Sequence, residues 1–341
     1  MDFYGSDSQQ LRLWATKRGL PAFRGEQIFT MLQHHVPQCF GDISPLPKEL
    51  RASLDQAHRL CPAEVVTNQE SSDGTVKTLF SLADGKRVES VSIPTRTRHT
   101  ICVSSQVGCA VGCTFCASGL TGVERDLQVG EIVYQVLYHH QRRPVTHVVF
   151  MGSGEPLFNY SNVLAAIRLL GHPQGLGLSR RRITVSTSGV AEKIRQLADD
   201  EPQVTLALSL HAPDDESRSR LVPLNRRWNI AALLQALDAY SQRVGRRMTF
   251  EYVLLADANM RDHHAHDLGR LARRYGAHIN LIPYNPVLQT PHQRPSWDQV
   301  ERFTALVREA GGHATVRGQR GADIDAACGQ LVLRKKAETA V

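Results

Sequence analysis

The sequence has no apolar run long enough to cross a bilayer, and its first residues, Met1-Asp2-Phe3-Tyr4-Gly5-Ser6-Asp7, lack the basic and apolar character of an export signal. These absences argue against a membrane span and make the cytoplasm the expected location. No low-complexity tract or short-period repeat stands out, which argues against fibrous and solenoid architectures. Paired C-x2-C elements of the structural zinc type are also missing, and the seven cysteines are odd in number. What remains is a 341-residue chain, 42% hydrophobic and 21% charged, with ordinary globular composition. Its length suits one large or two unequal domains.

Lysine and arginine total 40 against 33 acidic residues, a formal net charge of +7. Short basic runs recur at Arg180-Arg181-Arg182, Arg226-Arg227, Arg246-Arg247, Arg273-Arg274 and Lys335-Lys336. Such runs favour a polyanionic partner, because neutralised phosphates release their counterions. A solvated charged surface is the competing explanation.

Up to about residue 60 the apolar spacing is helical, as in Leu11, Trp14 and Leu20 and again in Ile28, Met31 and Leu32. A hairpin follows: Val76, Thr78, Phe80 and Leu82 alternate, Asp84-Gly85 supplies a turn, and Lys86 to Ile93 returns. From about residue 100, β-branched runs at 101–103, 147–151, 183–186, 204–210, 250–255, 278–282 and 314–317 alternate with amphipathic stretches. The clearest of these is Val129, Ile132, Val133, Val136 and Leu137. Repeated βα units predict a parallel sheet with helices outside, open or closed into a barrel. The boundaries predicted are a small, mainly helical N-terminal accessory domain over 1–70, a β-hairpin over 71–94, a partial (β/α) barrel over 95–331 and a tail over 332–341.

Cysteines crowd at Cys109-Ala110-Val111-Gly112-Cys113-Thr114-Phe115-Cys116, a C-x3-C-x2-C run. Three thiolates on one loop can face a single iron–sulfur cubane while leaving one iron open to a ligand. Zinc competes, but the next potential ligands in sequence are His139-His140. Chance clustering of structural cysteines is the bland alternative. This spacing is similar to the radical S-adenosylmethionine (SAM) signature. That likeness implies a 4Fe–4S cluster on Cys109, Cys113 and Cys116, with SAM bound at the open iron.

Barrel logic places reactive groups at the C-terminal ends of strands. Four strands run into polar turns: Gly152-Ser153-Gly154-Glu155-Pro156, Ser186-Thr187-Ser188-Gly189, Ser209-Leu210-His211 and Pro283-Tyr284-Asn285-Pro286. Any one of them alone is weak evidence. Glu89 alternates onto the same face of its strand as Val91 and Ile93. It either frays at a strand end or is placed as a general base whose pKa burial would raise. Cys102 and Cys328 stand apart from the cluster run. An isolated cysteine is most often a small buried hydrophobe, but the Gly-flanked polar loop around Cys328 also suits a reactive thiol.

Taken together these motifs resemble the RlmN/Cfr family of radical-SAM RNA (adenine) methyltransferases. The resemblance rests on Cys102-Val103-Ser104-Ser105-Gln106-Val107-Gly108-Cys109, the four turns above, and the ending Asp323-Ile324-Asp325-Ala326-Ala327-Cys328-Gly329-Gln330-Leu331. It extends to Phe23-Arg24-Gly25-Glu26-Gln27 and Ser71-Ser72-Asp73-Gly74-Thr75. The family likeness implies that Cys328 accepts a methyl group from one SAM and that a second SAM yields a radical that activates it. The carbon so formed would add to adenine C2 or C8 in 23S rRNA or tRNA. Cys102 would then release the product through a disulfide with Cys328, with Glu89 as proton acceptor. Gly154, Glu155, Ser186, Ser209, Leu210, His211 and Asn285 match the family's SAM-contacting positions. A monomer reduced by a donor such as a flavodoxin/reductase pair completes that picture. The chain departs from the RlmN pattern at Gly122–Leu127 and at Ser153, where methionine is usual, and both departures bear on the RNA target. A radical-SAM enzyme on another RNA, a protein or a small molecule is one alternative. A non-catalytic nucleic-acid-binding protein with a structural metal is another.

Overall fold

Strand–helix alternation beyond residue 100 folds as the periodicity predicts in the computed structural model, which describes residues 1–287, 290–318 and 320–331. The tail over 332–341, with Lys335-Lys336, lies outside the described residues. Three helices come first: α1 (Ser8–Thr16), α2 (Phe23–His34) and α3 (Lys48–Ala57). Helix α1 opens on a capping box, in which Asp7 Oδ1 accepts from Gln10 N and Gln10 Oε1 accepts from Asp7 N, both at 2.8 Å. Their apolar faces, including Leu11, Trp14, Ile28 and Leu32, belong to a core that continues to Ala314.

Helical structure stops short of residue 70. Ala63–Glu70 is strand β1, paired antiparallel to β2 (Val76–Leu82), which pairs in turn with β3 (Arg87–Pro94). The expected hairpin is thus part of a three-stranded meander. No apolar alternation marks β1 in the sequence, because it lies at the sheet edge with most of its residues exposed.

Next in the chain are β4 (His99–Cys102), β5 (Gln106–Gly108), α4 (Ala117–Leu120), β6 (Val123–Asp126) and α5 (Val129–His140). Then follow β7 (His147–Phe150), α6 (Tyr160–Leu170), β8 (Ile183–Thr187), α7 (Ala191–Asp200), β9 (Thr205–Ser209) and α8 (Asp215–Leu221). The described chain continues through α9 (Ile230–Val244), β10 (Thr249–Leu254), α10 (Asp262–Tyr275), β11 (His278–Pro283), α11 (Trp297–Glu309) and β12 (His313–Val316). The ten-stranded sheet has the order β1-β2-β3-β4-β7-β8-β9-β10-β11-β12, antiparallel up to β4 and parallel from there on. Among the described residues no pairing joins β12 to β4, so the parallel strands form an open, partial barrel. A separate antiparallel ribbon, β5–β6, brackets the cysteine run.

Candidate active site

The C-terminal ends of the parallel strands surround a cavity of about 130 Å³. One wall carries Cys109, Cys113 and Cys116, and the turns after the strands contribute Gly154, Glu155, Ser186, Ser209, His211 and Asn285. Cys328 reaches the same cavity from the C-terminal loop. Residues from distant parts of the chain meet here because parallel connection brings every strand's C-terminal end to one side.

Backbone geometry shapes the cysteine loop. The Cys109 N–H donates to the Gly122 carbonyl at 2.9 Å, closing the loop over the β5–β6 ribbon. Gly108 adopts φ +76° and a Cβ there would stand 1.8 Å from that same carbonyl oxygen, so only glycine fits. Likewise a Cβ on Gly119 would meet the backbone N and O of Cys113 at 2.9 Å. Burial raises all three thiols, Cys109 to about 12, and the charges of Cys116 and Glu155 add to the rise at Cys109. Backbone N–H groups oppose this, from Val111 and Gly154 at Cys109 and from Gly119 and Ser118 at Cys116. Three soft sulfur donors with N–H groups aimed at them, in a pocket lined by Val111, Phe115 and Tyr284, suit an iron–sulfur cluster. A bound metal would deprotonate thiols that burial otherwise keeps neutral.

Glu155 is buried, and its two oxygens are divided between neighbours. Oε1 accepts from Leu157 N at 3.0 Å and Oε2 from Ser188 N at 2.7 Å. Burial raises its pKa and these donors work against the rise. Ser186 and Ser209 share a hydroxyl hydrogen bond of 3.2 Å across β8 and β9. His211 sits at φ +60°, an uncommon conformation for a non-glycine residue. Its Nδ1 accepts from Val253 N at 3.1 Å, which leaves the ring proton on Nε2. Burial and the charge of Arg218 lower its pKa to about 3, so the ring is neutral. Leu210 is placed differently from the other matched positions. Its side chain lies in the core, and its carbonyl accepts from Arg218 Nε at 3.0 Å.

Cys102 ends β4 and packs against the Val91, Ala326 and Leu331 cluster that flanks Cys328; burial, and after it the charge of the Cys328 thiolate, pushes its thiol up to about 12. Cys328 is accessible because it faces the cavity, yet the surrounding protein still raises its thiol above the ordinary range. Glu89 is buried on β3 and lines a smaller adjoining cavity with Ser118 and Ser153, not the main one. Its salt bridge with Lys77 spans 3.5 Å.

Several site residues carried no sequence signal. The positive charge of Arg317, just beyond β12, works against the burial that raises the thiols of Cys102 and Cys328. Arg218 is fully buried and links the turns after β8 and β9, donating to Ser188 O at 2.6 Å and Ser209 O at 3.2 Å. Glu251 lines the cavity from β10 and accepts from Asn280 Nδ2 at 2.9 Å. Each lies inside a strand, a helix or an ordinary connection, with no motif around it.

Three comparisons bear on this arrangement. The radical SAM superfamily profile matches residues 103–268. The probable dual-specificity RNA methyltransferase RlmN of Halalkalibacterium halodurans is 42% identical over 340 residues, covering 98% of this chain and 94% of the relative. The protein of the same description from Rhodopirellula baltica is 46% identical over 326 residues, covering 94% and 88%. The crystal structure of a radical SAM methyltransferase from Sphaerobacter thermophilus superposes with a TM-score of 0.94 at 44% identity, covering 97% of this chain and 98% of that one.

Proposed function

Because the chain belongs to the RlmN family of radical-SAM RNA methyltransferases, we propose that it methylates a ring carbon of adenosine, C2 in preference to C8, in 23S rRNA or tRNA. It is a SAM-dependent enzyme of the 4Fe–4S class. When bound, the cluster and SAM supply one-electron chemistry and the methyl group. Cys109, Cys113 and Cys116 would hold the cluster. Gly154, Glu155, Ser186, Ser209, His211 and Asn285 would hold SAM, with the neutral His211 offering an Nε2–H donor. Leu210 could take part only through its backbone, since its side chain is in the core.

The observation that carries the reading is that Cys328 lines the cavity beside the cysteine loop while Cys102 packs against Val91, Ala326 and Leu331, the cluster that flanks Cys328. Cys328 faces the cavity and would carry the methyl group to the base. The Cys102 thiolate would attack the Cys328 sulfur, forming the S–S bond as the bond from that sulfur to carbon breaks, its electron pair passing to the carbon, which is protonated to the methyl group. Glu89 would accept the proton that leaves the adenine. Exposed Arg181, Arg182, Arg226 and Arg227 support an RNA partner, and we assign residues 1–70 as an RNA-contacting accessory domain. No helix among the described residues is long and apolar enough to cross a membrane. The same reading makes the enzyme a cytoplasmic monomer reduced by a flavodoxin-type donor.

The test is incubation of the reduced, cluster-loaded protein with SAM and RNA from cells lacking the gene, followed by mass spectrometry of the adenines. Methyl groups on an adenine carbon are expected. Full activity of Cys328→Ala would overturn the reading.

A further inference from the structure

The segment Ser71–Thr75 has no part in the chemistry described so far, yet it grips the loop that carries Cys328. Ser71 Oγ donates to Asp323 Oδ1 at 2.6 Å, Ser72 N to Asp323 Oδ2 at 3.2 Å, and Gly321 N to Asp73 Oδ2 at 3.2 Å. Arg320 lies 3.7 Å from Asp73. Strand β2 begins at the next residue, and one turn of its pleat beyond that stands Lys77, a lysine with only 8% of its surface exposed. Lysines are seldom buried unless paired. This one has two partners: Glu89 Oε1 at 3.5 Å and the carbonyl oxygen of Asp325, to which Nζ donates at 3.2 Å. Asp325 adopts φ +51°, a conformation costly for a non-glycine residue and maintained only where the surroundings impose it. Lys77 pairs with Val91 in the β2–β3 ladder, and Val91 packs with Ala326 and Leu331 on either side of Cys328.

We infer that Lys77 is a positioning residue whose ammonium ties the proton acceptor Glu89 to the Asp325 carbonyl, setting the base and the Cys328 loop in one fixed relation. The inference rests on the proposed roles of Glu89 and Cys328. A buried ion pair is a poor source of stability but a good way to fix geometry when both partners have defined positions. The ammonium has two acceptors on two different elements, so its loss would remove one restraint from the carboxylate and one from the loop. Arginine at this site retains the charge and enough donors for both acceptors, whereas methionine retains only the apolar stem.

The experiment compares wild type, K77R and K77M, cluster-loaded, with SAM and RNA from cells lacking the gene. The quantity read is 5′-deoxyadenosine formed per methylated adenine. K77M should raise that ratio about tenfold while 5′-deoxyadenosine formation itself continues, and K77R should restore most of the coupling. Hydrogen exchange of the metal-free proteins is read alongside, and residues 321–331 should exchange faster in K77M than in wild type or K77R. A wild-type ratio in K77M, or equal impairment in K77R and K77M, overturns the inference. Unchanged exchange over 321–331 in K77M overturns it as well. Absence of methylated adenine in wild type would instead overturn the proposed function, and the exchange comparison would still decide whether Lys77 holds the loop.

Discussion

Arg317 lies beside both Cys102 and Cys328, and its positive charge lowers the pKa of each thiol while burial raises it. Replacing Arg317 by methionine leaves burial and the negative charges of Glu251 and Cys116 unopposed at Cys328. Alkylation of Cys328 by iodoacetamide at neutral pH should slow by about three- to tenfold, because only the thiolate reacts. Its pH dependence should move to higher pH. Mass spectrometry of metal-free protein after timed labelling measures both.

Cys102→Ala should block product release but not attachment of RNA to Cys328. The expected product is RNA bound covalently to the protein, seen as a slow-migrating band on a denaturing gel. It should be absent in the Cys328→Ala variant and in the double variant. A Cys102→Ala enzyme that turns over as wild type would remove Cys102 from the mechanism.

Cysteine loss should divide by location. Cys113→Ala should bring iron content and the visible absorption of anaerobically purified protein close to background. Cys39→Ala should leave both unchanged, since Cys39 is exposed and lies far from the cavity-lining cysteines in sequence.

Glu155→Ala should weaken SAM binding and destabilise the fold together. The substitution strands the buried N–H of Leu157 and the partly buried N–H of Ser188, which now donate at 3.0 and 2.7 Å. Leaving buried donors unpaired costs about 1–3 kcal/mol each. Equilibrium dialysis with SAM and thermal unfolding measure the two effects.

Acid should destabilise the protein partly through His139. Burial, with smaller contributions from His99 and Arg142, lowers its pKa from 6.5 to about 3, and its Nε2 lies 2.9 Å from Ser90 Oγ. The unfolded chain therefore binds a proton below pH 6.5 that the folded chain refuses until about pH 3. Stability is fully present above 6.5 and is lost as pH falls through that window. Between pH 7 and pH 5 this residue should remove about 2 kcal/mol. Urea unfolding of metal-free wild type and His139→Gln at both pH values should show that much less acid sensitivity in the variant.

Local pattern accounts for what was readable in advance. The C-x3-C-x2-C run needs only chain-neighbour spacing to bring three sulfurs to one loop, and the seven parallel strands announce themselves by β-branched runs. Strand β1 was not readable, because an exposed edge strand buries too little to impose alternation. Helix α7 is likewise faint in sequence, because its buried face is only Ala191, Ile194, Leu197 and Ala198 among charged neighbours.

The amino-acid sequence alone determined the three-cysteine loop, the parallel α/β architecture and the family likeness, since these follow from short-range spacing and from motifs that keep their order. Tertiary structure decided which distant groups meet. It brought Cys102 to the cluster that flanks Cys328, with the charge of Arg317 acting on both thiols, put Leu210 in the core, and lodged Glu89 next to the main cavity on a buried lysine. Contacts of this kind depend on strand order and loop docking, and their energies arise from burial and charge proximity, neither of which is written into any single stretch of chain.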